Sequence, residues 1–134
     1  MSLFVDTSVW SLALRRSPRS DAPEVKLLGD YLTRGELVVT TGLVLQELLQ
    51  GFQGSKSRNA ILHRFSPLPV VNPDIQDHVN AADLRNRCRR RGIQIGTIDA
   101  LIASLCMRHD LALLTTDQDF ARIARHDPLA LLTP

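Results

Sequence analysis

Two aspartates stand at the ends of predicted strands, and in α/β enzymes such positions commonly carry the catalytic residues. Asp6 comes after the apolar run 3–5, and Asp117 comes after the run 112–115. Because ligands of open parallel sheets bind beyond the carboxyl ends of the strands, the two carboxylates are expected at one edge of a sheet. The alternative is that each aspartate only caps the helix that follows it, since Asp is favoured at helix N-termini.

Asp99 lies in the first turn of a predicted helix, 98–109, whose other side chains are apolar nearly all round. The helix dipole stabilises such a carboxylate by about 0.3–1 kcal/mol, whereas burying it without a partner costs several times more. A cation or several hydrogen-bond donors are therefore expected beside Asp99. Glu47 is weaker evidence, because it shares the polar side of the predicted helix 43–52 with two glutamines, where a solvated surface residue fits equally well.

The four carboxylates together favour a hard metal ion. No His or Cys stands at ligand spacing among them, and Mg²⁺ prefers oxygen ligands, commonly a few carboxylates plus a substrate phosphate. One or two such ions can activate water for attack on a phosphodiester bond and stabilise the departing oxygen. Without metal the like charges would repel one another, so at least one of these acids is expected to have a raised pKa.

The composition is that of an ordinary globular chain. Of the 134 residues, 44% are hydrophobic and 22% are charged, which excludes a disordered or collagen-like chain and fits a single domain over residues 1–134. Two cysteines cannot form a disulfide framework, and we expect neither a signal peptide nor a membrane-spanning segment. A cytoplasmic protein without a membrane partner is therefore expected.

Hydrophobic periodicity predicts strands that alternate with helices along the chain. The predicted strands are 3–5, 37–39, 67–71, 112–115 and 129–132, with 67–71 at a sheet edge because of its prolines. The predicted helices are 9–14, 23–34, 43–52, 57–65, 75–91, 98–109 and 117–125, with Asp74 and Thr97 as N-caps and a polar break at 15–21. This alternation predicts an α/β domain with a mainly parallel sheet flanked by helices on both faces.

Four short segments, in order along the chain, resemble those of a known family. They are FVDTSVW at 4–10, Glu47 followed by LLQG at 48–51, TIDALIA at 97–103, and LLTTDQDF at 113–120. The ordered set resembles the PIN-domain ribonucleases of the VapC toxin type over nearly the whole chain. The resemblance implies a PIN-like fold, dependence on Mg²⁺ with Mn²⁺ as a substitute, and endoribonuclease activity that uses metal-activated water. It also implies the toxin of a toxin–antitoxin pair, neutralised by a cognate antitoxin.

The resemblance assigns roles to particular residues. The acidic pocket would consist of Asp6, Glu47, Asp99 and Asp117. The metal ligands would be Asp6 and Asp99 as the most direct ones, together with Asp117. Asp119 is an extra acid whose role varies across the family. The auxiliary residues, which would orient carboxylates or bind phosphate, are Thr7, Ser8 and Thr116, although helix N-capping explains the first two equally well.

Five arginines stand at the end of the predicted helix 75–91, namely Arg85, Arg87, Arg89, Arg90 and Arg91. They are expected to bind RNA phosphates, because the guanidinium fork suits a phosphate group. The alternative is a solvated helix end, where cations interact favourably with the helix dipole. Aromatic residues make up only 4% of the chain, so RNA is expected to be held by its backbone and shape, with few stacked bases.

Two other classes of function compete with ribonuclease activity. Phosphoryl transfer through an aspartyl phosphate needs a lysine near the nucleophilic aspartate, and the two lysines, Lys26 and Lys56, follow no candidate strand. A catalytically silent PIN-like module that binds RNA or protein can be distinguished from an enzyme only by a cleavage assay.

A homodimer is also expected. The helices that carry Trp10, Leu14, Leu28 and Leu32 present more apolar surface than one face of a small sheet can cover, and twofold dimers are the commonest oligomers. The two acidic pockets are then expected to open to the same groove.

Overall fold

The computed structural model describes residues 1–15 and 22–134, so most of the polar break predicted at 15–21 lies outside the described residues. The described part contains three strands and seven helices. In chain order they are β1 (Ser2–Val5), α1 (Thr7–Leu14), α2 (Pro23–Thr33), β2 (Val38–Val39), α3 (Gly42–Gly51), α4 (Ser55–Phe65), α5 (Ile75–Arg90), α6 (Thr97–Arg108), β3 (Leu111–Leu114) and α7 (Gln118–Ala124).

The three strands form a parallel sheet in the order β2–β1–β3. The central strand is β1, with Phe4 opposite Val39 on β2 and Val5 opposite Leu114 on β3. The side chains of residues 3–5 are fully buried, as expected for a central parallel strand that is covered on both faces. The prediction of an α/β fold with a mainly parallel sheet is thereby confirmed.

The strands predicted at 67–71 and 129–132 are wrong. Each segment makes a single bridge to the rest of the sheet, at Val70 and at Leu131. Two prolines inside the first segment explain the first case, because a proline has no N–H to donate to a ladder. The second segment pairs around Leu113, through the carbonyl oxygen of Ala130 and the N–H of Leu132.

The starts of the two long helices differ in how they are capped. Asp74 caps α5 as predicted, since its carboxylate accepts a hydrogen bond from the Asp77 N–H (3.0 Å) and the Asp77 carboxylate accepts one from the Asp74 N–H (2.9 Å). The prediction that Thr97 caps α6 is wrong. Gly96 is the N-cap there, and Thr97 is already the first helical residue. Glycine is acceptable at this position because, relative to a capping side chain, it lowers the stability by only about a few tenths of a kcal/mol.

The core covers side chains that were expected to need a second copy of the chain. Trp10 is 1% exposed and packs on Phe65, with ring centroids 4.8 Å apart, and Leu28 is 2% exposed. The reason given for a homodimer is therefore wrong for Trp10 and Leu28, because the chain's own core covers them. Leu32 is 38% exposed, and the homodimer itself stays a prediction.

Helix α6 is buried nearly all round, as its apolar sequence indicates. Every residue from 100 to 106 is buried, whereas the residues of the first turn, 97–99, are exposed or half-buried. Asp99 therefore stands where a buried helix begins. Neither α6 nor any other helix within the described ranges is long and apolar enough to cross a membrane.

Candidate active site

The site forms where β1 and β3 end side by side. The N–H of Asp6 donates to the carbonyl oxygen of Leu114 (2.9 Å), which extends the pairing of the two strands by one residue. Thr115, the residue after β3, consequently lies beside Asp6, and their side chains hydrogen-bond. The carboxyl edge of the parallel sheet thus brings together residues that follow two different strands.

Asp6 is held by two hydroxyl groups. Its Oδ2 accepts hydrogen bonds from Ser8 Oγ (2.8 Å) and from Thr115 Oγ1 (2.9 Å), and the residue is only 6% exposed. Asp6 occupies the N-cap position of α1, yet its side chain makes no capping hydrogen bond. Helix capping, the alternative weighed from the sequence, therefore does not explain how this carboxylate is placed.

Thr115 links the two strand ends and is absent from the predicted set of site residues. Its Oγ1 donates to Asp6 and accepts a hydrogen bond from the backbone N–H of Asp117 (3.0 Å), so it fixes the turn that leads into α7. Ser8 Oγ accepts a further bond from the N–H of Thr116 (3.1 Å), whose own side chain is exposed. The sequence gives no comparable signal for Thr115, because the predicted strand 112–115 includes it, whereas in the structure β3 ends at Leu114.

Asp117 both caps α7 and stands among the other acids. Its Oδ1 accepts a hydrogen bond from the Asp119 N–H (2.9 Å) at the start of the helix, so capping does apply to this residue. At the same time, one carboxylate oxygen from each of Asp99, Asp117 and Asp119 lies within 4.8 Å of the other two. Asp119 also forms an ion pair with Arg122 at 2.9 Å.

This group of three acids differs by one residue from the ligand set that the resemblance implies. Asp99 and Asp117 belong to both sets, whereas Asp119 takes the place given to Asp6. Asp6 stands close to the group, since its charge raises the pKa of Asp99. Three carboxylates at this spacing offer hard oxygen ligands only, which is the donor type that Mg²⁺ and Mn²⁺ accept.

The electrostatics of the site centre on Asp99. This residue is half-buried in the first turn of α6. Its pKa is raised to about 6, first by burial and then by the charges of Asp6, Asp117, Asp119 and Glu47. The prediction that at least one acid has a raised pKa is thereby confirmed. Because the raised value reflects negative charge without enough compensation, the folded chain leaves charge here for a cation to neutralise.

Glu47 reaches the site from α3. Its Oε1 accepts a hydrogen bond from Thr7 Oγ1 (3.1 Å), which joins α3 to the first turn of α1. Its charge also contributes to the raised pKa of Asp99, so the alternative of a freely solvated surface glutamate does not describe it. Thr7 and Ser8 thus both direct their hydroxyl groups at carboxylates, and neither is the N-cap of α1, which is Asp6.

The five arginines at the end of α5 are not equivalent. Arg87 and Arg91 both pair with Asp127, at 2.9 and 3.2 Å. Arg85 donates from Nε to a backbone carbonyl oxygen at 2.9 Å. The remaining two arginines form no ion pair with any residue in the described part of the chain. The role of the cluster in binding RNA stays a prediction.

Comparison with known proteins points to one family. The family model described as "PIN domain" matches residues 3–126. Among curated relatives, ribonuclease VapC11 of Mycobacterium tuberculosis is 30% identical over 126 residues, and the match covers 92% of this chain and 92% of the relative. The PIN domain match covers Asp6, Glu47, Asp99, Asp117 and Asp119.

Solved structures share the fold over almost the full chain. One is VapBC2 from Rickettsia felis bound to a DNA fragment from its promoter, with a TM-score of 0.76 at 23% identity and 98% of each chain covered. Another is VapBC-5 from Mycobacterium tuberculosis, a member of the VapBC family of toxin–antitoxin systems. Its TM-score is 0.69 at 20% identity, with 99% of this chain and 98% of that one covered.

Proposed function

Because the chain belongs to the PIN domain family, as its ordered acidic segments predicted, we propose that it is a metal-dependent endoribonuclease and the toxin of a toxin–antitoxin pair. The observation that carries the proposal is the convergence of four other acids on Asp99, which together with burial raise its pKa to about 6. A curated relative named as a ribonuclease supports RNA as the substrate. A solved relative from a family of toxin–antitoxin systems supports the biological role.

The residues present fit a divalent metal ion. Asp99, Asp117 and Asp119 would hold it, because their oxygens form the group within 4.8 Å and because carboxylates suit Mg²⁺ or Mn²⁺. When bound, such an ion supplies an activated water and stabilises negative charge on the phosphate. Asp6, whose charge raises the pKa of Asp99, stands beside this group and would be a further ligand.

The chain's own residues orient the carboxylates and take up the proton. Ser8 and Thr115 hold Asp6 in one orientation at the end of β1, and Thr7 holds Glu47. Hydrolysis of a phosphodiester releases a proton from the attacking water, and a carboxylate within hydrogen-bond reach has to accept it. Glu47, which stands outside the proposed metal-binding carboxylates, is the carboxylate left for this task.

The purified chain is expected to cleave structured RNA in the presence of Mg²⁺ and to lose this activity in excess EDTA. Without the cation, the negative charges of the acids repel the phosphate and nothing activates the water. Gel electrophoresis of end-labelled RNA measures the products, and Mg²⁺ added back beyond the EDTA concentration is the control. Cleavage that persists in excess EDTA would contradict the metal mechanism. RNA binding without cleavage under every metal tested would favour the catalytically silent module.

The proposal includes a cognate antitoxin as partner, a homodimer and the cytoplasm as the site of action. The antitoxin rests on the toxin–antitoxin description of a solved relative, and the cytoplasm on RNA as the substrate. Leu32, Leu37 and Val70 are 38%, 52% and 53% exposed. Such large apolar side chains offer surface to an antitoxin or to a second copy of the chain.

Replacing Thr115 by valine is expected to lower the turnover of RNA by about 10–100-fold, the usual effect of removing a group that orients a ligand. Valine keeps the shape of the side chain but lacks the hydroxyl that donates to Asp6 and accepts from the Asp117 N–H. Because Thr115 is a positioning residue, kcat should fall while KM changes little. Thr115→Ser keeps the hydroxyl and should restore most of the turnover. A Thr115→Val chain as active as wild type would remove Thr115 from the site.

A further inference from the structure

The arginines at the end of α5 lie on two faces of that helix. Arg85 and Arg89 are four residues apart and share one face, as do Arg87 and Arg91, whereas neighbouring residues point in different directions. The second pair meets Asp127, whose side chain is only 9% exposed. The charge of that pair is therefore partly neutralised within the chain, and its role is to hold α5 against the segment after α7.

The other pair lines a groove. Arg85 and Arg89 border a cavity of about 380 Å³ together with Ile93, Gln94, Ile95 and Gly96. Arg85 is held in the wall by the hydrogen bond from its Nε to the Ile95 carbonyl oxygen (2.9 Å). It also borders a second cavity of about 230 Å³, lined among others by His78, Asn86 and Thr97. Among the described residues, neither lining includes a carboxylate, so this seam between α5 and α6 is positively charged.

The groove reaches the start of the helix that carries Asp99. Gly96, one of its lining residues, is the N-cap of α6, and Asp99 lies three residues further along. Three helical residues rise about 4.5 Å, so the groove borders a residue that lies about one helical turn before Asp99. A polyanion that approaches Asp99 is repelled by the acids around it, and positive charge beside the start of α6 would reduce that repulsion.

We propose that the groove between Arg85 and Arg89 binds a phosphate group of the RNA backbone next to the bond that is cut, with Arg89 as the contact that reaches the phosphate. This inference rests on the proposed function and narrows the predicted cluster from five arginines to two. Arg89 is exposed and makes no ion pair with a described residue, so its guanidinium fork is available, and that fork matches the geometry of a phosphate. The mainly polar lining suits the backbone of a nucleic acid better than an apolar protein segment.

The test compares Arg89→Gln with Arg90→Gln, both made in an Asp99→Asn background so that the RNA stays intact. Both substitutions remove one exposed positive charge from adjacent residues of α5, but only Arg89 lines the groove. Binding of a fluorescein-labelled single-stranded RNA is measured by anisotropy between about 50 and 200 mM salt. Loss of one phosphate contact should reduce the slope of log K against log salt by about 0.7, and weaken binding about fivefold near 0.1 M salt.

We expect this change for Arg89→Gln and the parent slope for Arg90→Gln. Arg89→Lys retains the positive charge that sets the slope and should therefore keep the parent slope. Equal changes in Arg89→Gln and Arg90→Gln would overturn the proposal in favour of a diffuse charge effect of the helix end. Unchanged binding in Arg89→Gln would overturn it too, and would leave the groove for a protein partner. The melting temperature of each variant is measured as a control for folding. It should equal that of the parent, because both side chains are exposed.

The proposed function is decided separately, by cleavage of RNA by the wild-type chain with Mg²⁺. If the wild-type chain cleaves RNA and Arg89→Gln binds it as tightly as the parent, only the assignment of the groove falls. If the wild-type chain neither binds nor cleaves RNA, the groove and the proposed function fall together.

Discussion

Replacing Asp99 by asparagine is expected to lower RNA cleavage by about a hundredfold or more, as removal of a charge at the centre of a preorganised site usually does. Asparagine keeps the shape of the side chain but removes a carboxylate that belongs to the group of three acids. It also removes the residue on which the charges of Asp6, Asp117, Asp119 and Glu47 converge. Initial rates of cleavage at saturating Mg²⁺ measure the loss.

The matched control is Asp110→Asn. Asp110 follows the other end of α6, which spans twelve residues and therefore about 18 Å. Its backbone is left-handed, with φ of 54°, a conformation that asparagine adopts readily. This variant should cleave RNA at the wild-type rate. Asp99→Asn must in addition keep the circular dichroism spectrum of the folded chain. Full activity of a folded Asp99→Asn protein would remove Asp99 from the catalytic machinery.

The strand ends were predictable because they depend on local pattern and on a general rule. Short apolar runs ending in Asp6 and near Asp117 define two strands, and the rule for parallel sheets places their carboxyl ends at one edge. Asp99 was predictable for a different reason, since a charged residue at the start of an apolar helix has to find compensation. In these three cases the sequence contains the element that positions the acid. For Asp99 it also shows a charge at the start of a buried helix, which needs compensation.

The hydrogen-bond partners of the acids were not predictable to the same degree. Thr115 looks like the last residue of a strand, and its hydroxyl matters only because pairing of β1 with β3 puts it beside Asp6, 109 positions away. The cap of α6 was assigned to Thr97 on propensity, but the backbone already turns helical there and leaves Gly96 at the N-cap. Both errors concern where one residue lies relative to a boundary, which tertiary packing decides.

The arginines at the end of α5 also have features that the sequence predicts and features that only the fold determines. The spacing in the sequence already places Arg85 with Arg89 and Arg87 with Arg91 on separate helix faces. What the sequence does not contain is the partner of the second pair, because Asp127 follows 36 residues after Arg91 and meets it only in the folded chain. A run of like charges therefore predicts a phosphate surface as a whole, while folding determines which of its members remain available.

Mg²⁺ is expected to raise the melting temperature of the wild-type chain on the order of 10 °C at about a hundredfold excess over Kd. An ion that binds the folded acids but hardly binds the unfolded chain stabilises by RT ln(1 + [Mg²⁺]/Kd), which is about 2.7 kcal/mol under these conditions. Differential scanning fluorimetry at pH 8, with and without EDTA, measures the change. Asp99→Asn should lose most of the increment, because it lacks one of the three grouped carboxylates.

Without metal, the same substitution is expected to stabilise the protein at high pH. The pKa of Asp99 in the folded chain is about 6, above the value near 3.9 of an unfolded chain, so the folded chain keeps a proton that the unfolded chain releases. The free energy of unfolding of the wild-type protein in EDTA therefore falls as the pH rises from about 4 to about 6. The loss should be about 1 kcal/mol once solvent screening of this half-buried group is allowed for.

The two effects have opposite signs, and this separates a metal site from a structural acid. Asparagine does not titrate, so in EDTA the free energy of unfolding of Asp99→Asn should not fall between about pH 4 and about pH 6 on account of this residue. The variant should therefore be more stable than wild type above pH 6. In Mg²⁺ the order should reverse, because the charge that is unfavourable in the metal-free chain is the charge that binds the ion. Urea unfolding at pH 4.5 and pH 7.5, in EDTA and in Mg²⁺, gives all the values needed. If Asp99→Asn is less stable than wild type in EDTA at pH 7.5 and retains the full Mg²⁺ increment, Asp99 is a structural residue and the ion binds elsewhere.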